Sequence, residues 1–445
     1  MKQVAIYWDS LGCAKNLVDS EVAIGLLKAA GFVLVEDPGQ AEVIVVNTCG
    51  FINDAKEESI QDILTLAQYK EAGNCRLLVA TGCLVQKYRQ ELAAELPELD
   101  LLLGTQDYLT LVNAIKERLG MPTAPNTVQE FSGCFATRSL LTPPYTAYLK
   151  IAEGCSNHCS FCVIPEMRGE LHSRSIEDIV AESEWLQKKG VKELVLIAQD
   201  TTAYGLDRYH RPMLAELLER VSALDIPWLR VLYCYPDRLD ETLLSTMAKL
   251  PSVCPYLDIP LQHISKPVLK KMGRSYDRAQ VEALLAKIKQ YLPDVAIRTT
   301  FMVGFPGETE EDFAELLDFA KSQPFAWAGV FMYSQEEGTP AANMSDQIPE
   351  DVKVKRYNQL TAILAMQGSS QRETWLGKTL PVLLEGVDQD YEGYWLGRSP
   401  YHAPSVDGLV YIEDKNGLLN FSDIGKICHV KIHTVDTYDV IGTLV

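Results

Sequence analysis

The chain has 445 residues, 47% of them hydrophobic and 23% charged, proportions of globular domains rather than of a disordered or fibrous chain. Its formal net charge of −19 argues against an extended nucleic-acid footprint, which needs Lys and Arg to neutralise phosphates. No stretch approaches the roughly 18 apolar residues of a membrane span, and the opening MKQVAIYWDSLGCAKN has no basic flank followed by a long apolar run, so a soluble, cytoplasmic protein with no membrane partner is expected.

Residues 1–120 alternate short apolar runs (Val4–Tyr7, Val43–Val46, Leu77–Ala80, Leu101–Leu103) with amphipathic stretches such as Asn16–Ala30 and Ala55–Glu71. That alternation predicts an α/β domain with a parallel, flavodoxin-like sheet. Residues 121–140, within a run carrying Pro122, Pro125, Pro143 and Pro144, read as a linker. From 141 to 372 six larger βα units follow, with strands expected at Ala147–Ile151, Leu194–Ala198, Leu229–Tyr233, Tyr256–Ile259, Ala296–Val303 and Gly329–Tyr333. Ser175 ahead of Ile176-Glu177-Asp178 has the form of a capping box. Six units predict an open (βα)6 barrel, with ligands at the carboxyl ends of its strands. Residues 375–445 lose helical periodicity; the short strands Thr379–Leu384, Leu409–Ile412, Ile427–Ile432 and Asp439–Leu444 predict a small OB-like β-barrel.

Eleven cysteines in a large chain of this kind point to metal or redox work rather than disulfides. Cys155, Cys159 and Cys162 form a Cys-x3-Cys-x2-Cys loop just after the first expected barrel strand. A 4Fe–4S cube held by three thiolates keeps one iron free for a small molecule, whereas zinc staples and electron carriers are normally closed by a fourth ligand. A zinc knuckle with a distant fourth ligand, or three buried thiols, is the plainer alternative. Cys13, Cys49 and Cys83 each follow an expected strand of the first domain, beside Gly12, Gly50 and Gly82. In a doubly wound sheet such positions converge on one edge, so a second three-thiol site and three core cysteines are both open readings. Cys75, Cys134, Cys234, Cys254 and Cys428 lack such context and read as structural.

The Cys155 loop resembles that of the radical S-adenosylmethionine superfamily, and the likeness extends over residues 145–370. Ile297-Arg298-Thr299-Thr300-Phe301-Met302-Val303-Gly304-Phe305-Pro306-Gly307-Glu308-Thr309 is similar to its late Gly-rich segment, and Gln199-Asp200 ends another strand at the same mouth. The resemblance implies S-adenosylmethionine bound at the free iron of a Cys155/Cys159/Cys162 cluster. Phe161, Gln199, Arg298, Gly304, Gly307 and Glu308 are the expected cofactor contacts. Taken with Cys13, Cys49 and Cys83, almost the whole chain resembles the methylthiotransferases, with no departure at the six cysteines. That family implies a second 4Fe–4S cluster on the N-terminal three, implicated in sulfur delivery. It also implies a TRAM domain at the C-terminus, and an electron donor and a sulfur source as partners.

One branch of the family modifies adenosine in transfer RNA; another modifies an aspartate of small-subunit ribosomal protein twelve, giving 3-methylthioaspartate. Residues 377–445 carry ten acids against five bases, a net −5, poor for an RNA backbone and suited to a basic ribosomal protein. Ala198–Gly205, Pro260–Ser265, Gly397–Ser399 and Ala403–Gly408 are similar to the protein-modifying branch. Transfer RNA is the alternative substrate and is not expected. A metal-stapled RNA-binding protein is the alternative of a different class.

Overall fold

The computed structural model describes residues 3–123, 134–389, 391 and 393–445. Five parallel strands, β1 (Ala5–Ser10), β2 (Val33–Leu34), β3 (Val43–Thr48), β4 (Leu77–Gly82) and β5 (Leu101–Leu103), form a sheet in the order β2-β1-β3-β4-β5. This is the flavodoxin order. Val43, Val45, Leu77 and Val79 pack on one face and Ile44, Val46, Leu78 and Ala80 on the other, the two-residue alternation of a strand buried on both sides. The helices are α1 (Ala14–Ala29), α2 (Asn53–Ala67), α3 (Tyr69–Ala72), α4 (Cys83–Glu95) and α5 (Leu111–Arg118). The single helix expected over Ala55–Glu71 is broken at Gln68 into α2 and α3.

Of the segment expected as a linker, residues 124–133, including Pro125, lie outside the described residues. At its far end Arg138 is buried, pairs with Glu21 of α1 and with Glu182 at 2.6 Å, and donates to the Tyr148 carbonyl at 2.8 Å. Removing one partner of such a buried ion pair is strongly destabilising, so this end is a tie between two parts of the fold.

Six parallel strands follow in two sheets, β6 (Thr146–Lys150), β9 (Glu193–Ile197) and β10 (Trp228–Val231), then β11 (Tyr256–Gln262), β12 (Ala296–Val303) and β13 (Trp327–Met332). Between β6 and β9 a short ribbon pairs β7 (Ala152–Glu153) with β8 (His172–Ser173). An isolated bridge, Leu229 to Val253, lies at the β10/β11 seam. β6 and β13 are sheet edges, which leaves the barrel open as expected. Leu149, Leu196, Leu257 and Phe301 face the outer helices; Tyr148, Val195, Trp228 and Tyr256 face inward. Ser175 caps the helix Ile176–Lys188 by accepting from the Asp178 N–H at 3.2 Å. The reciprocal half of the expected box is missing, because the Asp178 carboxylate pairs with Arg174 instead.

The C-terminal strands β14 (Thr379–Val387), β15 (Tyr394–Arg398), β16 (Val410–Glu413), β17 (Ile427–Val435) and β18 (Val440–Leu444) close into a barrel, β14-β15-β16-β18-β17. Closure leaves no sheet edge unpaired. Leu380, Val382 and Leu383 of this barrel share a core with the inward-facing residues of the open one. The small barrel is thus docked against the amino ends of the larger one's strands, where Tyr256 reaches Asp407 and Trp327 the Tyr401 carbonyl, and charges lock it there. Glu193 lies between Arg230 (2.8 Å) and Arg398 of β15 (2.7 Å).

Candidate active site

β1, β3 and β4 lie side by side, with Ser10, Asn47 and Thr81 in one row across them. Cys13 caps α1, Cys49 follows β3 and Cys83 opens α4, so all three leave the same carboxyl edge. Gly12 has φ +86°, and a Cβ there would stand 2.8 Å from the Cys49 Cβ and 3.0 Å from its Sγ. Glycine alone lets the Cys13 turn lie against Cys49. Burial raises the Cys49 thiol, and Cys13 adds to it. Burial pushes Cys83 up to about 11, with Cys13 and Cys49 adding to that. The three thiols are therefore electrostatic neighbours. Cys13 is exposed at its surface but closely ringed by protein. Crowding opposes its ionisation, yet Lys15 and then Arg168 outweigh that and hold the thiol below its ordinary value.

Cys155, Cys159 and Cys162 lie in the loop beyond β7, all partly exposed. The loop is fixed by its backbone: Cys155 N–H donates to the Gly169 carbonyl (3.1 Å), Ser160 N–H to that of Met272 (3.1 Å), and Ala341 N–H to that of Ser160 (2.9 Å). Gly154, at φ +74°, passes so close to Glu170 that a Cβ would fall 2.0 Å from its carbonyl oxygen. Asn157 donates to Asp200 (2.7 Å), and Arg238 grips both Asp200 (2.6 Å) and Asn157 (2.8 Å), which ties the loop to the end of β9. Burial raises Cys155, with Asp200 and Cys159 adding to it. Burial pushes Cys162 up to about 12, again with the other two thiols adding. Among the described residues no three His, Cys, Asp or Glu side chains form a cage for a single ion; the thiols of each group are neighbours without closing on one point.

One short helix joins the two groups. α6 (Ile164–Arg168) begins two residues after Cys162, and Val163 and Met167 pack against Cys83. At its end the buried Arg168 donates through Nε to Cys83 Sγ (3.3 Å), reaches Asn16, and pairs with Asp19 of α1 (2.6 Å) and Glu153 (3.2 Å). Lys150 pairs with the same two carboxylates, Glu153 at 2.7 Å. Sequence reasoning missed Lys15, Asp19, Arg168, Asn157 and Arg238. The one available signal was Lys15 and Asp19, four residues apart on a helix otherwise dense in apolar residues.

The structure brings most of the expected cofactor contacts to this mouth. Gln199, just past β9, donates to Glu153 at 2.5 Å, and its Oε1 is buried with no hydrogen-bond partner among the described residues. Phe161 packs edge-on to Phe305, centroids 6.4 Å apart, in a cluster with Val268, Met272 and Tyr333. Gly304 and Gly307 lie beyond β12, against the side chains of Lys353 and Lys271. Glu308 is turned into its own loop: its carboxylate accepts from the N–H groups of Gly304 (2.5 Å) and Phe305 (3.1 Å) and pairs with Arg356 at 3.2 Å. Burial nevertheless pushes it up to about 7. Its Oε2 closes the Gly-rich turn, while Oε1, beside Arg356, accepts no hydrogen bond among the described residues. Arg298 is not at the mouth. It is the third residue of β12 and pairs with Asp258 (3.2 Å) and with Asp407 of the C-terminal barrel (3.3 Å), a docking contact.

Residues 5–104 match the model of the Uncharacterized protein family UPF0004, residues 149–320 the Radical SAM superfamily, and residues 376–445 the TRAM domain. The Ribosomal protein uS12 methylthiotransferase RimO of Desulforamulus reducens is 45% identical over 439 residues, covering 98% of each chain. That of Geobacter sulfurreducens is 45% identical over 443 residues, covering 98% of this chain and 97% of the relative. Among solved structures, the radical S-adenosylmethionine methyltransferase TsrM from Kitasatospora setae superposes with a TM-score of 0.58 at 15% identity, covering 82% of this chain and 89% of that one, a likeness of fold. With these three parts in this order, and this identity over nearly its full length, the chain belongs to the RimO family of radical S-adenosylmethionine methylthiotransferases.

Proposed function

We propose that this methylthiotransferase acts in the cytoplasm on the β-carbon of an aspartate in ribosomal protein uS12, giving 3-methylthioaspartate. The observation that carries the reading is the pair of three-thiol groups joined through α6 in a chain of this family. We assign one 4Fe–4S cluster to Cys13, Cys49 and Cys83 and another to Cys155, Cys159 and Cys162. Three features fit that assignment: a donor set of three thiols in each group, the Cβ-free turn at Gly12 against Cys49, and the unpartnered Gln199 Oε1 beside the Cys155 loop. When bound, the clusters and S-adenosylmethionine supply one-electron cleavage of the sulfonium and the methylthio group.

The chain's own residues do the rest. Asn157, Asp200 and Arg238 hold the Cys155 loop in place. Gln199 presents a carbonyl oxygen to a donor of the cofactor, since a buried acceptor without a partner is costly until one arrives. Phe161, Phe305, Met272 and Tyr333 form a dry apolar wall beside the loop. In the C-terminal barrel, Asp407 and Glu385 are engaged with Arg298 and Arg398. The remaining acids still outnumber the remaining bases, which suits a basic protein partner.

Mass spectrometry of ribosomal proteins and transfer RNA from a deletion strain tests the substrate: uS12 is expected to lose a methylthio group while transfer RNA keeps its own. A strain whose uS12 is unchanged would overturn the reading. For the two-cluster assignment, Cys49→Ala is expected to keep forming 5′-deoxyadenosine and to lose methylthiolation by about 100-fold or more, since even outer partners of metal sites are worth 10–100-fold. Retained methylthiolation would remove the role given to the Cys13, Cys49 and Cys83 group.

A further inference from the structure

Three cations crowd the junction of the two thiol groups, and two carboxylates answer them. Lys150 and Arg168 both pair with Asp19 and Glu153. Lys15, in the first turn of α1, is only 8% exposed. Its ammonium has no carboxylate partner among the described residues; it stands over the Tyr233 ring, 3.6 Å from the centroid. Tyr233 lies just past the carboxyl end of β10 with φ +61°, a conformation that costs a bulky residue energy. Lys15 therefore reaches from the turn that carries Cys13, across the domain junction, to the mouth of the open barrel. The Tyr233 side chain holds the ammonium, and the Cys13 thiol and the Glu153 carboxylate attract it from farther off, but among the described residues no carboxylate closes on it, and a buried ammonium without such a partner is costly.

We infer that Lys15 binds the side-chain carboxylate of the substrate aspartate and selects aspartate over its amide. The inference rests on the function proposed above. In aspartate the reacting β-carbon is bonded directly to the carboxylate, so any geometry that places that carbon between the two thiol groups brings the carboxylate with it. A carboxylate leaving water at such a place needs a cation, and of Lys15, Lys150 and Arg168 only Lys15 has no carboxylate ion pair among the described residues. Asparagine, of nearly the same shape, brings no charge and would leave Lys15 buried and unpaired.

The test uses the anaerobically reconstituted full chain and fluorescently labelled uS12, with aspartate or asparagine at the position that mass spectrometry shows to be modified. Wild type is expected to bind the aspartate form about tenfold or more tightly than the asparagine form, the scale of a charge-assisted contact. Lys15→Met should bind the two forms equally, and Lys15→Arg should restore a preference, with iron content and visible absorbance at wild-type levels in both. An unchanged aspartate preference in Lys15→Met would overturn the inference. So would a loss of iron in that variant, which would assign Lys15 to the cluster instead. If wild type left an intact uS12 aspartate unmodified, the substrate reading itself would fall, a result distinct from either.

Discussion

Cys155→Ala is expected to abolish 5′-deoxyadenosine formation and methylthiolation together, a loss well beyond the 10–100-fold that follows removal of outer partners of a metal site. The loop carries three cysteines, Cys155, Cys159 and Cys162, and the proposed cluster needs all of them. The variant should still fold. The Cys155 side chain is partly exposed, and its contribution to the loop is a backbone N–H bond to Gly169 that alanine keeps. Cys428→Ala is the matched control: this half-exposed thiol lies on β17, in the separate C-terminal barrel, and its loss should leave turnover unchanged. Measured by chromatography of S-adenosylmethionine products under reducing conditions, a Cys155→Ala enzyme that cleaves at the parent rate would refute the radical role of the loop. The contrast with Cys49→Ala separates the two groups, because only the Cys155 group should be needed for cleavage.

Glu193→Leu is expected to lower stability by about 3–5 kcal/mol in denaturant unfolding, the cost of breaking a buried ion pair. The carboxylate lies between two guanidinium groups, and all three side chains are essentially buried. Leucine would leave Arg230 without its carboxylate and Arg398 with Glu385 alone. Because Arg398 belongs to the C-terminal barrel, the same change should loosen its docking and speed proteolysis at the exposed Leu376. Acid dependence gives a second reading. Burial opposes ionisation of Glu193, but Arg398 and then Arg230 outweigh it and hold the group down at about 2. An unfolded glutamate titrates near about 4.3. The folded value is the lower one, so the stabilisation is complete above about pH 4.3 and is lost as the pH falls through about 2. The variant should lack that part of the acid-unfolding slope. Equal stability of the two proteins from pH 7 down to pH 2 would show that the Glu193 pairing contributes nothing.

The central strands of both α/β parts were legible because they are buried on both faces and so read as apolar runs; β3 and β4 are the clearest cases. The flavodoxin order followed from the same alternation of strands and helices. β2 was not legible, being two residues long, nor was β15, whose Tyr-Trp-Leu-Gly-Arg carries no clean alternation. The thiol groups were legible because their spacing is local in one case and tied to strand ends in the other.

What the sequence by itself determined is the three-part organisation of the chain and the two places, at strand ends of the first two parts, where cysteines gather. Tertiary structure decided what surrounds them. Arg298 and Glu308 are expected as cofactor contacts because both lie in the segment 297–309 that resembles the superfamily's Gly-rich one; packing pairs the first with Asp258 and Asp407 and the second with Arg356. Lys15, Asp19 and Arg168 looked like ordinary helix residues and became the charged joint between the two sites. The reason is physical. A thiol's suitability as a ligand belongs to the residue and its local turn, whereas the partner of a buried charge is set by whatever distant chain arrives within about 4 Å, and spacing along the sequence carries no record of that.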